Sequence, residues 1–451
     1  MRRLRVSLAL VAWLGAVAGL LPATAAAAEP SFGPATAAAT FGVGVDVEQP
    51  VTLPDGVVRV EALVRTTGSD RTLVTPIATP SAGQATLHYR FDTELGTLWP
   101  NTSVELGFRV TMDDGTVVEG PTATVRYEDT RFTWRTLNGE QVRVHWTEGG
   151  EAFGRRVAEI GDEAVRRATA LLGVEEDGLI DFFVYANDRA FQEILGPGSR
   201  ENVGGVAPGG LRTLFASIGS TNLDDPWVRI VVPHELTHVV FETATSNPYH
   251  DAPHWLNEGL AVYLSEGYSI GRRSSVDRAV ASDSVIPLQG LVGAFPTTAE
   301  RFSLGYGESV AAVDYLIRTH GQDALVRLIR SYADGVTDDE AFEAALGGDV
   351  AGFEAGWFDD LGIEAPQPYG PQPAPAGPLP PGWEGAAPTP GASGAAASPR
   401  PSGTPLPTPD GASSVQPAVA IALAVVGVVL IGAAAWLVAR ARRRSPPGPA
   451  Q

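Results

Sequence analysis

The sequence predicts an α+β protein: an all-β sandwich, then a domain with a small mixed sheet and a mostly helical C-terminal part. Three observations predict it. Residues 32–128 alternate apolar and polar side chains in short runs punctuated by Gly and Pro, the pattern of half-buried strands. From Phe153 onward apolar residues recur at three- and four-residue spacing, the pattern of amphipathic helices. Residues 365–414 are dominated by Pro, Ala, Gly, Ser and Thr, which cannot bury enough surface to fold, so the folded part ends before them.

Taken in chain order, residues 1–28 read as a secretory signal peptide. Arg2, Arg3 and Arg5 precede an apolar run from Val6 to Leu21, and Ala25 to Ala28 form a small-residue cleavage site. The first domain, 32–128, is expected to hold strands at 42–47, 57–65, 85–91, 104–111 and 116–127, with a hairpin turn at Asp113-Asp114-Gly115. Regular spacing of this kind suggests an immunoglobulin-like sandwich. It shows no chemistry, so a spacer is the plain expectation, and partner binding or substrate presentation the alternative. The second domain, 131–362, opens with a hairpin, 132–137 and 141–146, around Asn138-Gly139. Phe153, Val157, Ile160, Ala164, Ala168 and Leu171 mark a helix that stops at Gly173. A buried strand at 179–185, a helix at 188–195 capped by Asn187, and a strand at 211–218 follow. Further helices are expected at 251–266, 307–320, 323–333 and 338–345, the last with a capping box from Thr337 and Glu340.

Residues 365–414 form an extended stalk, and 417–439 are uncharged and apolar over a length sufficient to cross about 30 Å of hydrocarbon. Arg440, Arg442, Arg443 and Arg444 follow, so residues 440–451 are expected as a basic cytoplasmic tail. The expected location is therefore the cell membrane, single-pass, with everything between the two apolar ends outside. The formal net charge is −20, and the seven terminal arginines leave −27 on residues 29–414. Such a surface repels nucleic acid. With no cysteine the chain has no disulfide, thiolate ligand or cysteine nucleophile, and with no lysine it has no Schiff-base chemistry.

The chemistry lies in two short segments. His234-Glu235-Leu236-Thr237-His238 places two imidazoles at i and i+4, on one face of a helix and about one turn apart. That spacing lets both ligate one zinc ion with Glu235 beside it as general base. Trp255-Leu256-Asn257-Glu258-Gly259 adds a carboxylate twenty positions after His238. Three protein ligands and an open position are a catalytic arrangement, whereas a structural zinc takes four.

These two segments resemble the gluzincin metallopeptidases, in particular the peptidase-MA-like group that shares WLNEG with the M1 aminopeptidase clan. The resemblance implies a zincin-like domain over 131–362, with His234, His238 and Glu258 as Zn2+ ligands and Glu235 as the residue that activates water. Similar proteins also place a tyrosine near Tyr306, where it can donate a hydrogen bond to the tetrahedral oxyanion; a packing tyrosine would look the same in sequence. The chain departs from the family in two respects. The GxMEN segment that grips a substrate amine is absent, which points away from strict exopeptidase action. Position 262, four after Glu258, holds valine where a thermolysin-type aspartate would orient a histidine, so another group must do so.

Weaker candidates are His254, which can face the metal or the substrate or be a loop histidine, and His250. Trp255 is expected to pack behind the ligand helix, and the strand 211–218 can offer its edge to an extended peptide. The expected function is a membrane-anchored extracellular zinc metallopeptidase, an endopeptidase acting on extended peptides. The alternatives are a non-catalytic surface binding protein with a degenerate zinc site and a zinc hydrolase of non-peptide substrates.

Overall fold

The computed structural model describes residues 29–366 except 70, 97 and 197–203. The signal peptide, the membrane span 417–439, the tail 440–451 and all but the first two residues of the stalk lie outside the described residues. Among the described residues no helix is long and apolar enough to cross a membrane. The described chain forms two units, 29–92 with 103–127, and 93–102 with 128–366.

The first unit is entirely β. Strands β1 (Ser31–Phe32), β2 (Thr36–Thr40), β3 (Gly44–Leu53) and β6 (Gly83–Asp92) make one antiparallel sheet, with β1 and β2 along one edge of β3 and β6 along the other. Strands β5 (Thr72–Ile77), β4 (Val57–Thr66), β7 (Thr102–Met112) and β8 (Val117–Glu119) make a second, and β9 (Ala123–Tyr127) also pairs with β7. Alternation buries one face of each sheet: Val45, Val47, Val51 and Leu53 on β3; Val60, Ala62 and Val64 on β4; Val104, Leu106, Phe108 and Val110 on β7. The expected strand at 42–47 is shifted and lengthened to 44–53. The expected strand at 116–127 is broken at Gly120-Pro121, because proline cannot donate to a ladder.

In the second unit β10 (Arg135–Asn138), β11 (Val142–Trp146), β12 (Ile180–Tyr185), β14 (Thr213–Ser217) and β13 (Gly205–Val206) form a mixed sheet in that spatial order. β11, β12 and β14 run parallel, and the outer strands β10 and β13 antiparallel. The Asn138-Gly139 turn is held by α1 (Glu151–Leu172). The carboxylate of Asp162 on that helix accepts from the backbone N–H groups of Glu140, Gln141 and Val142 at 2.9, 2.7 and 3.0 Å. Helix α1 ends at Gly173, whose φ of 63° is the left-handed conformation glycine adopts without strain. Helix α2 (Asp188–Leu195) is capped by the Asn187 side chain, which accepts from Ala190 N–H at 3.0 Å, as expected.

The remainder is helical: α3 (Val228–Thr245), α4 (His254–Ser265), α5 (Ile270–Ala281), α6 (Ala299–His320), α7 (Gln322–Ser331), α8 (Asp338–Leu346) and α9 (Val350–Leu361). The Thr337–Glu340 capping box is present at α8. Helix α3 buries residues on every face, including Val231, Val232, Leu236, Val239 and Val240, which makes it the central helix of the unit. Helices α4 and α6 approach so closely that a Cβ on Gly259 would lie 2.5 Å from the carbonyl oxygen of Ser309. Only glycine fits there, and this seats α6 against the helix carrying Glu258. The strand expected at 211–218 has β12 on one side and β13 on the other, so it is no free edge. The terminal strand of this side is β13.

Candidate active site

Helix α3 projects His234 and His238 from one face, with ring centroids 4.8 Å apart and planes at 86°. Helix α4 brings Glu258 to them. Glu258 Oε2 lies 3.3 Å from His234 Nε2 and 3.5 Å from His238 Nε2, and one ligand atom from each residue falls within 4.8 Å of the others. His234 Nε2 and Glu258 Oε2 are buried with no hydrogen-bond partner. Leaving such groups unpaired is costly unless something else satisfies them. A tetrahedral ion with bonds of 2.0–2.1 Å holds its ligand atoms about 3.4 Å apart. The two separations from Glu258 to the histidines match that spacing, and a His, His, Glu donor set suits zinc.

Asn257, adjacent to Glu258, supplies the orienting group that position 262 lacks. Its Oδ1 lies 2.8 Å from His238 Nδ1 and accepts a hydrogen bond from that nitrogen, so Nε2 is the ring nitrogen turned toward Glu258 and available to a metal. Val262 itself is fully buried in the apolar core.

Glu235 is 2% exposed, and its Oε1 has no hydrogen-bond partner. Burial pushes its carboxyl up to about 8, against the opposing influence of His238 and of the Ala207 N–H. Its Cγ lies close to β13, since a Cβ on Gly205 would sit 3.1 Å from it. Burial holds His234 below the ordinary imidazole range. Burial also opposes charge on His238, but the carboxylates of Glu258 and Glu235 outweigh it and raise its pKa. For Glu258 burial is likewise outweighed, chiefly by His238, and its carboxyl stays well below the usual range.

Tyr306 does not open a helix as expected: it lies within α6, 2% exposed, its ring 6.1 Å from that of His234. Phe295 and Phe302 meet it edge-on at 5.1 and 5.2 Å, and the Arg272 guanidinium stands 5.6 Å from its centre. Arg272 comes from α5, which sequence reasoning missed, and its Nε and Nη2 donate to Glu266 Oε1 at 3.0 and 2.9 Å. His254 also reaches the cluster, with Nε2 3.5 Å from Glu258 Oε1. His250 instead packs on Tyr332, at 5.8 Å between ring centroids. Trp255 is fully buried beside Phe342 and Phe353, a packing residue as expected.

Two helices that converge two imidazoles and a carboxylate beside a further buried glutamate define a metallopeptidase type of site. Residues 160–361 match the family described as the Peptidase MA superfamily, and this segment is a gluzincin-like peptidase-MA domain, a type that implies a metal, typically zinc. No curated protein matches the chain. Among solved structures, an aminopeptidase N family protein from Idiomarina loihiensis is similar at 10% identity and a TM-score of 0.37, covering 73% of this chain and 75% of that one. A polysaccharide deacetylase from Bacillus cereus is similar at 9% identity and a TM-score of 0.15, covering 37% of this chain and 56% of that one. At such TM-scores neither likeness bears on the fold or the chemistry.

Proposed function

We propose that the protein is a membrane-anchored, outward-facing zinc metallopeptidase that cleaves extended peptides internally. The observation that carries this reading is the meeting of His234, His238 and Glu258 at ligand spacing, with Glu235 beside them and no competing hydrogen bonds on His234 Nε2 or Glu258 Oε2. Zinc held by these three side chains would supply Lewis acidity and a water of pKa about 7.

The protein's own residues have the following parts. Glu235 takes the proton of the attacking water as the new C–O bond forms, then returns it to the leaving nitrogen as the C–N bond breaks. It is ionised, as a base has to be, once positive charge sits beside it. Tyr306 donates its phenolic proton as a hydrogen bond to the developing oxyanion. An extended substrate lies along β13, the terminal strand next to Glu235, by backbone pairing. The absence of a GxMEN segment supports internal cleavage. The first unit serves as an immunoglobulin-like spacer, and the stalk 365–414 and span 417–439 hold the catalytic unit outside the membrane.

The test is peptide-library cleavage by the purified chain, with and without a chelator. Glu235→Gln is expected to keep zinc and to lose turnover by at least about 10³-fold. Intact cells expressing the full chain should cleave an added membrane-impermeant peptide, and the activity should sediment with membranes. Zinc binding without any cleavage by the unaltered chain would leave a binding module in place of an enzyme. Activity that appears only on lysis would refute the outward orientation.

A further inference from the structure

Glu258 has two carboxylate oxygens, and the structure uses them differently. Oε2 faces His234 and His238, whereas Oε1 faces a third imidazole, His254, whose Nε2 is 3.5 Å away. Among the described residues no other side chain forms a hydrogen bond or ion pair with Glu258. His254 is the first residue of α4, so it lies one turn before Glu258 on the same face. It is fixed from two sides: its backbone N–H donates to Val292 at 2.8 Å, and its ring meets Phe295 at 4.6 Å. Its buried Nε2 has no hydrogen-bond partner, and Glu258 Oε1 is the acceptor that stands within reach of it.

We propose that His254 is a positioning residue that holds Glu258 Oε1 through its Nε2–H, so that the carboxylate presents Oε2 alone to the metal. The inference rests on reading His234, His238 and Glu258 as a metal centre. A carboxylate ligand left free can turn and bind through both oxygens, which fills the position that a catalytic site keeps open. A hydrogen bond to the outer oxygen prevents that turn and fixes the ligand's orientation. The 3.5 Å separation is at the outer limit for such a bond, and the soft imidazole χ2 allows the ring to close it. The role differs from that of Asn257, which orients an imidazole and not the carboxylate.

Zinc affinity of the full chain, measured by competition with a chromophoric chelator, tests this. His254→Leu is expected to bind zinc about 10- to 100-fold more weakly than wild type, and His254→Gln, which keeps a donor, within about threefold of it. In the cobalt-loaded protein His254→Leu should also shift the visible absorption bands, because a second carboxylate oxygen would take the position otherwise open to water. Melting temperatures of the zinc-free variants should match wild type. Equal affinity of wild type and His254→Leu would overturn the proposal while leaving the metal-centre reading intact. So would a Gln variant as weak as the Leu variant, since shape and not the donor would then matter, or a loss that merely follows lowered zinc-free stability. A wild-type chain that binds no zinc would overturn both.

Discussion

At the scale of single residues, the hydrogen bond from His238 Nδ1 to Asn257 sets which nitrogen of that ring is available to a metal. Asn257→Leu removes the acceptor and frees the ring to turn or change tautomer. It is expected to weaken zinc binding about 10- to 100-fold, whereas Asn257→Asp, which keeps an acceptor, should retain most of it. Equal zinc affinity in the Leu variant, measured by chelator competition, would show that the bond is dispensable. Sequence made the four principal residues legible because i, i+4 spacing on a helix is a purely local geometry, and WLNEG marks the third carboxylate. It also offered His254, four residues before Glu258 on the same helix, but could not reveal Asn257 as a partner of His238. The role of Asn257 depends on how α4 crosses α3, which no local pattern encodes.

At the scale of elements, α6 carries a second buried carboxyl. Glu308 is fully buried, accepts from Ile286 N–H at 3.0 Å through Oε1, and has no partner for Oε2. Burial pushes its pKa up to about 8 from the ordinary 4.5. The folded protein therefore keeps a proton that the unfolded chain has released. The resulting stabilisation is complete below about pH 4.5 and is lost as pH rises through about 8. Glu308→Gln mimics the protonated form at every pH. Its melting temperature should equal wild type near pH 4.5 and exceed it increasingly toward pH 9, where the gap in unfolding free energy is on the order of 5 kcal/mol. Parallel melting curves of the two proteins across that range would contradict a protonated Glu308. The first turns of α6 escaped the sequence reading because Gly305 and Gly307 look like breakers. In the structure Gly305 is required by packing, since a Cβ there would meet the Phe295 ring at 2.9 Å. Helix α5 was missed because it buries only Val276 and Ala279, too few for a helical period to show. In α9 Gly352 and Gly356 lower the helical signal.

At the scale of the whole molecule, the chain passes from the first compact unit to the second after Tyr127, and one part of that division has no signal in the sequence. Residues 93–102, inside the range of the β domain, belong to the second unit. There Trp99 stacks on Phe215 at 5.7 Å, and Asn101 Nδ2 donates to Asp181 and Thr213 at 3.0 and 3.1 Å. These are contacts across more than a hundred residues of sequence in part, beyond any periodicity. The division into units also says where a metal can act. All three ligand candidates lie in the second unit, and the first has its own buried faces. Free zinc at a hundred times its Kd stabilises whatever holds it by about 2.7 kcal/mol, which slows exchange through global opening about a hundredfold. Chelation should thus accelerate amide exchange in α3, α4 and α6 and leave β3, β4 and β7 unchanged. An equal acceleration in both units would show that they unfold together, and none in either would remove the metal from the His234–His238–Glu258 cluster.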